Sequence, residues 1–299
     1  MGKKETSLAF AKTIGLIFIL YYILIWLILS VLGRIIGFLC PILKNIGFIS
    51  LIALPISIIA AIITFSVMMK RQKNDPLDQL HSAMKREMRE NGFTDKFFEI
   101  NSQGIELFRQ EYTNGSIGYF LEMVVCGSLG YIYKEDYQKA LQLINMVDNK
   151  ALKSRDISFL DGGYSLILYF DSQLNVCYRL QDKGRAERVM EDARPYLEKF
   201  RGKNELINMG IDESYYFYYL INQDYDTAKK YAEAILKNPI SVREKFVDGY
   251  LEMARIYRLT GDMDKESEYI NEARNALQER SIPLNQQTFD FYMRERERN

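Results

Sequence analysis

Few side chains in this sequence could do chemistry. His81 is the only histidine in 299 residues. Any Ser–His or Cys–His couple would have to be built on it, and no nucleophile stands in register with it. Asp224-x-Asp226 and Asp262-x-Asp264 resemble acidic pairs that hold a metal beside a sugar nucleotide. Both sit just before a helical stretch. There the first Asp accepts free backbone N–H groups and the second favours the helix dipole. That explanation covers both copies at once, so they are expected to be caps. Cys40, Cys126 and Cys177 have no paired spacing; Cys126 and Cys177 lie on apolar helical faces and are expected to pack as small hydrophobes in a reducing compartment. HExxH, GxxxxGK[ST] and GxGxxG patterns are missing from the sequence. No catalytic residue, metal ligand or cofactor is expected, and the chain is read as a non-enzyme.

Two uncharged apolar runs dominate the N-terminus, Ile14–Leu32 and Ile46–Met69. At about 1.5 Å of rise per residue, 19 residues reach roughly 28 Å, enough to cross a hydrocarbon core. A helix satisfies its own backbone polar groups in lipid. Pro55 lies inside the second run, where a membrane helix tolerates a kink. Transmembrane helices are therefore expected over 13–33 and 46–69, with a tail over 1–12 and a short external loop over 34–45. The first apolar stretch is too long for a cleaved signal peptide and no small-x-small site follows it. Lys3, Lys4 and Lys12 precede the first run, and Lys70, Arg71 and Lys73 follow the second; only Arg34 and Lys44 lie between. The positive-inside rule puts both termini and everything after residue 69 in the cytoplasm.

Beyond residue 69 the chain holds 34 basic and 38 acidic residues, a net charge of −4. Such a domain is a poor nucleic-acid binder. Its apolar residues recur at three-and-four spacing and its prolines are scarce, so it reads as all-α. The first helix is marked by Asp75-Pro76, with Leu77, Leu80, Met84 and Met88 as its apolar stripe. Residues 70–119 are expected to form a juxtamembrane helical cap.

Four stretches then share one pattern: Gly127–Ile144, Val176–Ala193, Tyr215–Ile235 and Met253–Ala273. Each reads as a helix with small and aromatic residues, a tight turn, and a second helix. Tyr131, Tyr219 and Tyr257 stand before three turns, and Leu180 takes that place in the second copy, where Gly184 marks the turn. In Asp136-Tyr137 with Ala140, and in Asp224-Tyr225 with Ala228, the chain resembles the tetratricopeptide repeat family. Gly261-Asp262 fits too, but Glu266 stands where the family prefers alanine. The resemblance covers residues 120–281 and implies an α-solenoid of helical hairpins. Ile282–Asn299 is expected to cap its end, with Phe289 and Phe291 inward and the Arg294–Arg298 alternation outward.

In that family the first helix of each pair lines the concave face. Carried onto this sequence, the partner-binding groove comprises Val125, Leu129, Tyr133, Tyr178, Asp182, Glu213, Phe217, Ile221, Arg255 and Arg258. Such an apolar-aromatic groove suits an amphipathic helix or extended peptide; the competing reading is that much of it is core between repeats. The implied function is a membrane-tethered adaptor that holds a protein or peptide partner at the cytoplasmic face. The alternative is an accessory subunit of a larger integral membrane complex. The oligomeric state is not set by the sequence.

Overall fold

The computed structural model describes residues 75–111, 117–148, 152, 163–244 and 246–298, together with helical pieces at 19–25, 27, 55–60 and 62–64. The chain forms two compact units, 1–76 and 77–299.

In the first unit, Ile19, Leu20, Ile23, Leu24 and Leu27 are 49–60 % exposed, and Ile56, Ile58, Ile59, Ile62 and Ile63 are 43–58 % exposed. Tyr21 Oη and Thr64 Oγ1 lie 2.8 Å apart and join the two pieces. Among the described residues no helix is long and apolar enough to cross a membrane. Most of both expected spans, the loop over 34–45 with Cys40, and the flanking cations at 1–12 and 70–73 lie outside the described residues.

The second unit is all-α, with no strand among the described residues. Its helices are α1 (Pro76–Asn91), α2 (Asp95–Glu111), α3 (Ile117–Tyr133), α4 (Tyr137–Ile144), α5 (Tyr164–Leu180), α6 (Lys183–Phe200), α7 (Glu205–Ile221), α8 (Tyr225–Lys237), α9 (Pro239–Glu244), α10 (Asp248–Thr260), α11 (Met263–Glu279) and α12 (Pro283–Arg298). As the sequence implies, α1 starts at Pro76; Leu77 and Met84 are fully buried, and Leu80 and Met88 pack at the edge of the core.

Four hairpins follow: α3–α4, α5–α6, α7–α8 and α10–α11. Helices α3, α5 and α7 pack side by side, and α4, α6 and α8 each touch the first helix of the next hairpin. Gly249 allows the close approach of α10 to α8, because a Cβ there would stand 2.8 Å from Leu236 Cα.

One turn geometry repeats in all four hairpins. A residue with positive φ (Glu135, Gln181, Gln223 or Gly261, φ 55–83°) is followed by an aspartate that caps the second helix. The aspartate N–H donates back to a carbonyl five residues earlier: Asp136 to Tyr131, Asp182 to Cys177, Asp224 to Tyr219, Asp262 to Tyr257, at 2.8–3.0 Å. The left-handed residue donates three residues back. This is a Schellman closure that runs directly into an N-cap. Each aspartate accepts from the N–H three residues on, at 2.9–3.1 Å. Asp224 and Asp262 are thus caps, as expected.

The same geometry corrects the second copy. Its turn is Gln181-Asp182, and Gly184 lies inside α6. The residue equivalent to Tyr131, Tyr219 and Tyr257 is Cys177, three positions before Leu180. The physical reason is that the left-handed position tolerates a glutamine whose side-chain amide bonds the Tyr178 carbonyl at 2.7 Å, so no glycine marks it. The capping aspartates are 136, 182, 224 and 262, so the repeats are 46, 42 and 38 residues long.

Four residues after the cap, Ala140, Ala186 and Ala228 are fully buried. Small side chains there let paired helices close. In the fourth copy Glu266 takes this place and is itself 1 % exposed.

Candidate functional site

The last helix decides the site. The expectation for Ile282–Asn299 was an end cap with its charges outward. Helix α12 does pack on α10 and α11, but it also reaches α3. It runs along the side where the first helices line up. Gln287 accepts the Phe93 N–H at 2.8 Å, ahead of α2. Tyr133 Oη on α3 meets Thr288 Oγ1 at 2.7 Å, and its ring stacks on Phe291 at 5.2 Å. Arg294 donates to the Tyr133 carbonyl at 3.0 Å and to Glu135 at 3.1 Å, and Arg298 pairs with Glu135 as well. Arg294, Arg296 and Arg298 are exposed, as expected, and Arg294 and Arg298 fold back on Glu135 from the surface. Phe289 and Phe291 are buried, as expected.

Glu295 is the centre of this contact. Its carboxylate lies 2.8 Å from Arg179 on α5, and 3.1 and 3.5 Å from Arg255 and Arg258 on α10. All four side chains are between 6 and 13 % exposed. Burial pushes the Glu295 carboxyl up, but Arg255 and Arg179 outweigh it and hold it at about 2. Arg255 also donates to Tyr216 Oη at 3.2 Å. Arg255 and Arg258 lie over the Tyr292 ring, at 5.5 and 5.4 Å.

Glu266, the misfit of the fourth repeat, belongs to the same contact. It accepts from Tyr292 Oη at 2.9 Å and from Arg296 at 3.0 Å. A buried carboxylate replaces alanine there because α12 supplies its partners.

Beneath α12 lies a cavity of about 120 Å³. Asp171 (α5), Glu213 (α7), and Asp248 and Glu252 (α10) bring four carboxyl groups to its wall, interleaved with aromatic rings. Burial, and then the neighbouring Asp248 charge, push Asp171 up to about 8. Burial first, then mutual repulsion within the group, raise Glu213 and Glu252 well above the carboxylate range, and burial raises Asp248. A second cavity of about 270 Å³ adjoins Glu295 and is lined by Glu135, Tyr137, Tyr178, Gln181, Phe291 and Arg298, among others.

Five of the ten groove residues read from the sequence line the first cavity: Leu129, Tyr133, Glu213, Phe217 and Arg255. Tyr178 lines the second, and Arg258 reaches Glu295. Val125 and Ile221 are core residues. Asp182 is an exposed cap on α6 and no part of the groove. The sequence places Tyr178 and Asp182 where the structure puts Asn175 and Arg179, three positions earlier, and it passes over Asp171 one turn before them. Aligning the second copy on Asp182 as the cap would have found all three. Nothing in the sequence pointed to Glu295.

His81 packs against α3. Its Nε2 meets Glu122 at 2.7 Å, its ring stacks on Tyr119 at 4.6 Å, and Lys85 shares the same carboxylate. Burial pushes the Cys126 and Cys177 thiols up to about 12 and about 11. Among the described residues no group of three or more His, Cys, Asp or Glu could hold a metal ion.

No known protein family, no curated protein and no solved structure matches this chain.

Proposed function

We propose that the chain is a two-span membrane anchor carrying a tetratricopeptide-like α-solenoid, and that the solenoid holds a partner protein at the cytoplasmic face without catalysis. The observation that carries this reading is the seat of α12. The side lined by the first helices already grips an amphipathic helix, through Phe291 and Tyr292 as apolar anchors and three arginines closing on Glu295. A partner helix that presents aromatic residues and a carboxylate on one face matches that surface. The four repeated turns support the solenoid. The exposed isoleucines and leucines at 19–27 and 56–63 support the anchor. Tethering would raise the effective concentration of any partner in the same membrane.

The test is site-specific photocrosslinking of the full chain in membranes. A crosslinker at Tyr137, beside the cavity that adjoins Glu295, should capture a partner. One at Lys183, exposed on α6, should not. Capture of the same proteins from both positions, or from Lys183 alone, overturns the groove. Loss of every partner when the apolar runs are replaced by an unrelated two-span anchor would favour the accessory-subunit reading, in which the spans themselves are recognised.

A further inference from the structure

The cavity beneath α12 has a charge imbalance that α12 does not resolve. Its surroundings hold Asp171, Glu213, Asp248, Glu252 and Glu295 against Arg179, Arg255 and Arg258. Five carboxylates against three guanidiniums leave two negative charges when all are ionised. The guanidiniums close on Glu295 at 2.8–3.5 Å; Arg255 and Arg179 also favour ionised Glu252, and Arg255 Nε and Arg258 Nε and Nη1 are buried without partners, yet three cations still face five acids. Glu252 is only 7 % exposed, and its Oε2 finds no hydrogen-bond partner in the protein. Asp171 Oδ1, on the facing helix, is also shut from solvent and unpartnered. Buried charged groups are costly unless paired, so this wall calls for a cation or for protons.

Three features set the kind of cation. The carboxyl groups come from α5, α7 and α10, and no three of them stand close enough to hold a metal ion. The rest of the wall includes the rings of Tyr133, Phe217, Phe291 and Tyr292, which suit an alkyl body and present electron-rich faces to positive charge. The volume of about 120 Å³ leaves room for several water-sized bodies, as in a short alkylamine.

We propose that this cavity is a binding site for a small organic ammonium ion, held between Asp171, Glu213 and Glu252 with α12 as its lid. The proposal does not depend on the adaptor reading. Binding would replace protons that the crowded carboxyl groups otherwise keep, so ammonium uptake and proton release should occur together.

The experiment is isothermal titration of the full chain in detergent micelles with propylammonium and 1,4-diaminobutane at pH 7. Titrations in two buffers of different ionisation heat report the protons released. We expect saturable one-to-one binding, at least tenfold tighter than sodium at equal ionic strength, with proton release. Glu252→Gln should weaken it tenfold or more while the unfolding midpoint holds or rises; Asp171→Asn serves as a second variant should the first misfold. An Nα-acetyl-lysine amide arm separates a free amine from a lysine side chain of another protein, since the tighter ligand identifies the source. No saturable heat overturns the proposal, as does sodium competing on equal terms or undiminished ammonium binding by Glu252→Gln, and none of these results bears on partner crosslinking.

Discussion

Glu295 on the last helix lies 2.8 Å from Arg179 on the first helix of the second hairpin, two buried side chains 116 positions apart in sequence. The same carboxylate takes Arg255 and Arg258 of the fourth hairpin, so one side chain ties the second hairpin to the last.

Removing that carboxylate strips three buried guanidiniums of the partner they close on at 2.8–3.5 Å. Glu295→Ala should cost about 3–5 kcal/mol, the usual penalty for breaking a buried pair from one side. Urea unfolding of the full chain in micelles measures it. Limited proteolysis should then cut first within 283–298. A loss below about 1 kcal/mol would mean the triad is solvated.

The second turn gives opposite effects at neighbouring positions. Asp182→Ala removes the cap bond to Arg185 N and should cost about 1 kcal/mol. Gly184→Ala should stabilise by up to about 1 kcal/mol, because Gly184 is helical and a Cβ there meets nothing closer than 3.8 Å. Thermal unfolding of both variants decides whether Gly184 is the turn.

Gly92 has φ +74°, and a Cβ there would fall 2.4 Å from Gln287 Oε1. Gly92→Ala should therefore strain the backbone by about 1–2 kcal/mol and break the Phe93–Gln287 bond. Hydrogen exchange at the Phe93 amide and along α12 should quicken while exchange in α5 stays unchanged.

Two carboxyl groups set opposite pH limits. Asp171 ionises near 3.8 when unfolded but stays protonated to about 8 in the folded chain. Its contribution to stability is whole below pH 3.8 and is lost as pH rises through about 8. Glu295 moves the other way, from 4.5 to about 2, so its stabilisation is present above pH 4.5 and is lost as pH falls through 2. The unfolding midpoint should fall from pH 5 to pH 9. Asp171→Asn should flatten that slope, and an unchanged slope would mean Asp171 does not titrate in this window.

Topology can be read by thiol labelling, with one precaution. Burial raises the Cys126 and Cys177 thiols to about 12 and about 11, which disfavours the thiolate, so weak labelling of either carries no topological information. Lys183→Cys supplies an exposed reporter on the helical domain. A membrane-impermeant maleimide should label it only after lysis if the domain is cytoplasmic. Labelling in intact cells would invert the proposed orientation.

The sequence carried the helices, their pairing into hairpins and three of the four turns. These are local properties: apolar residues at three-and-four spacing, a left-handed residue, and an aspartate beside free N–H groups. It misplaced the second copy's turn because Gly184, which lies inside α6, stands as a glycine decoy three residues after Gln181, the left-handed residue. That slip of three residues hid Asp171, Asn175 and Arg179. What the sequence could not determine was where α12 goes. Its amphipathic pattern fits an end cap as well as a groove, since hydrophobic spacing says which face is buried and not against what. Glu266 was the one visible trace, an acid at an alanine position, yet its meaning needs Tyr292 and Arg296 brought against it. The charge balance of the cavity is likewise tertiary. Asp171, Glu213, Asp248 and Glu252 are ordinary acids along the chain, and only the packing of α5, α7 and α10 under α12 makes them neighbours out of water.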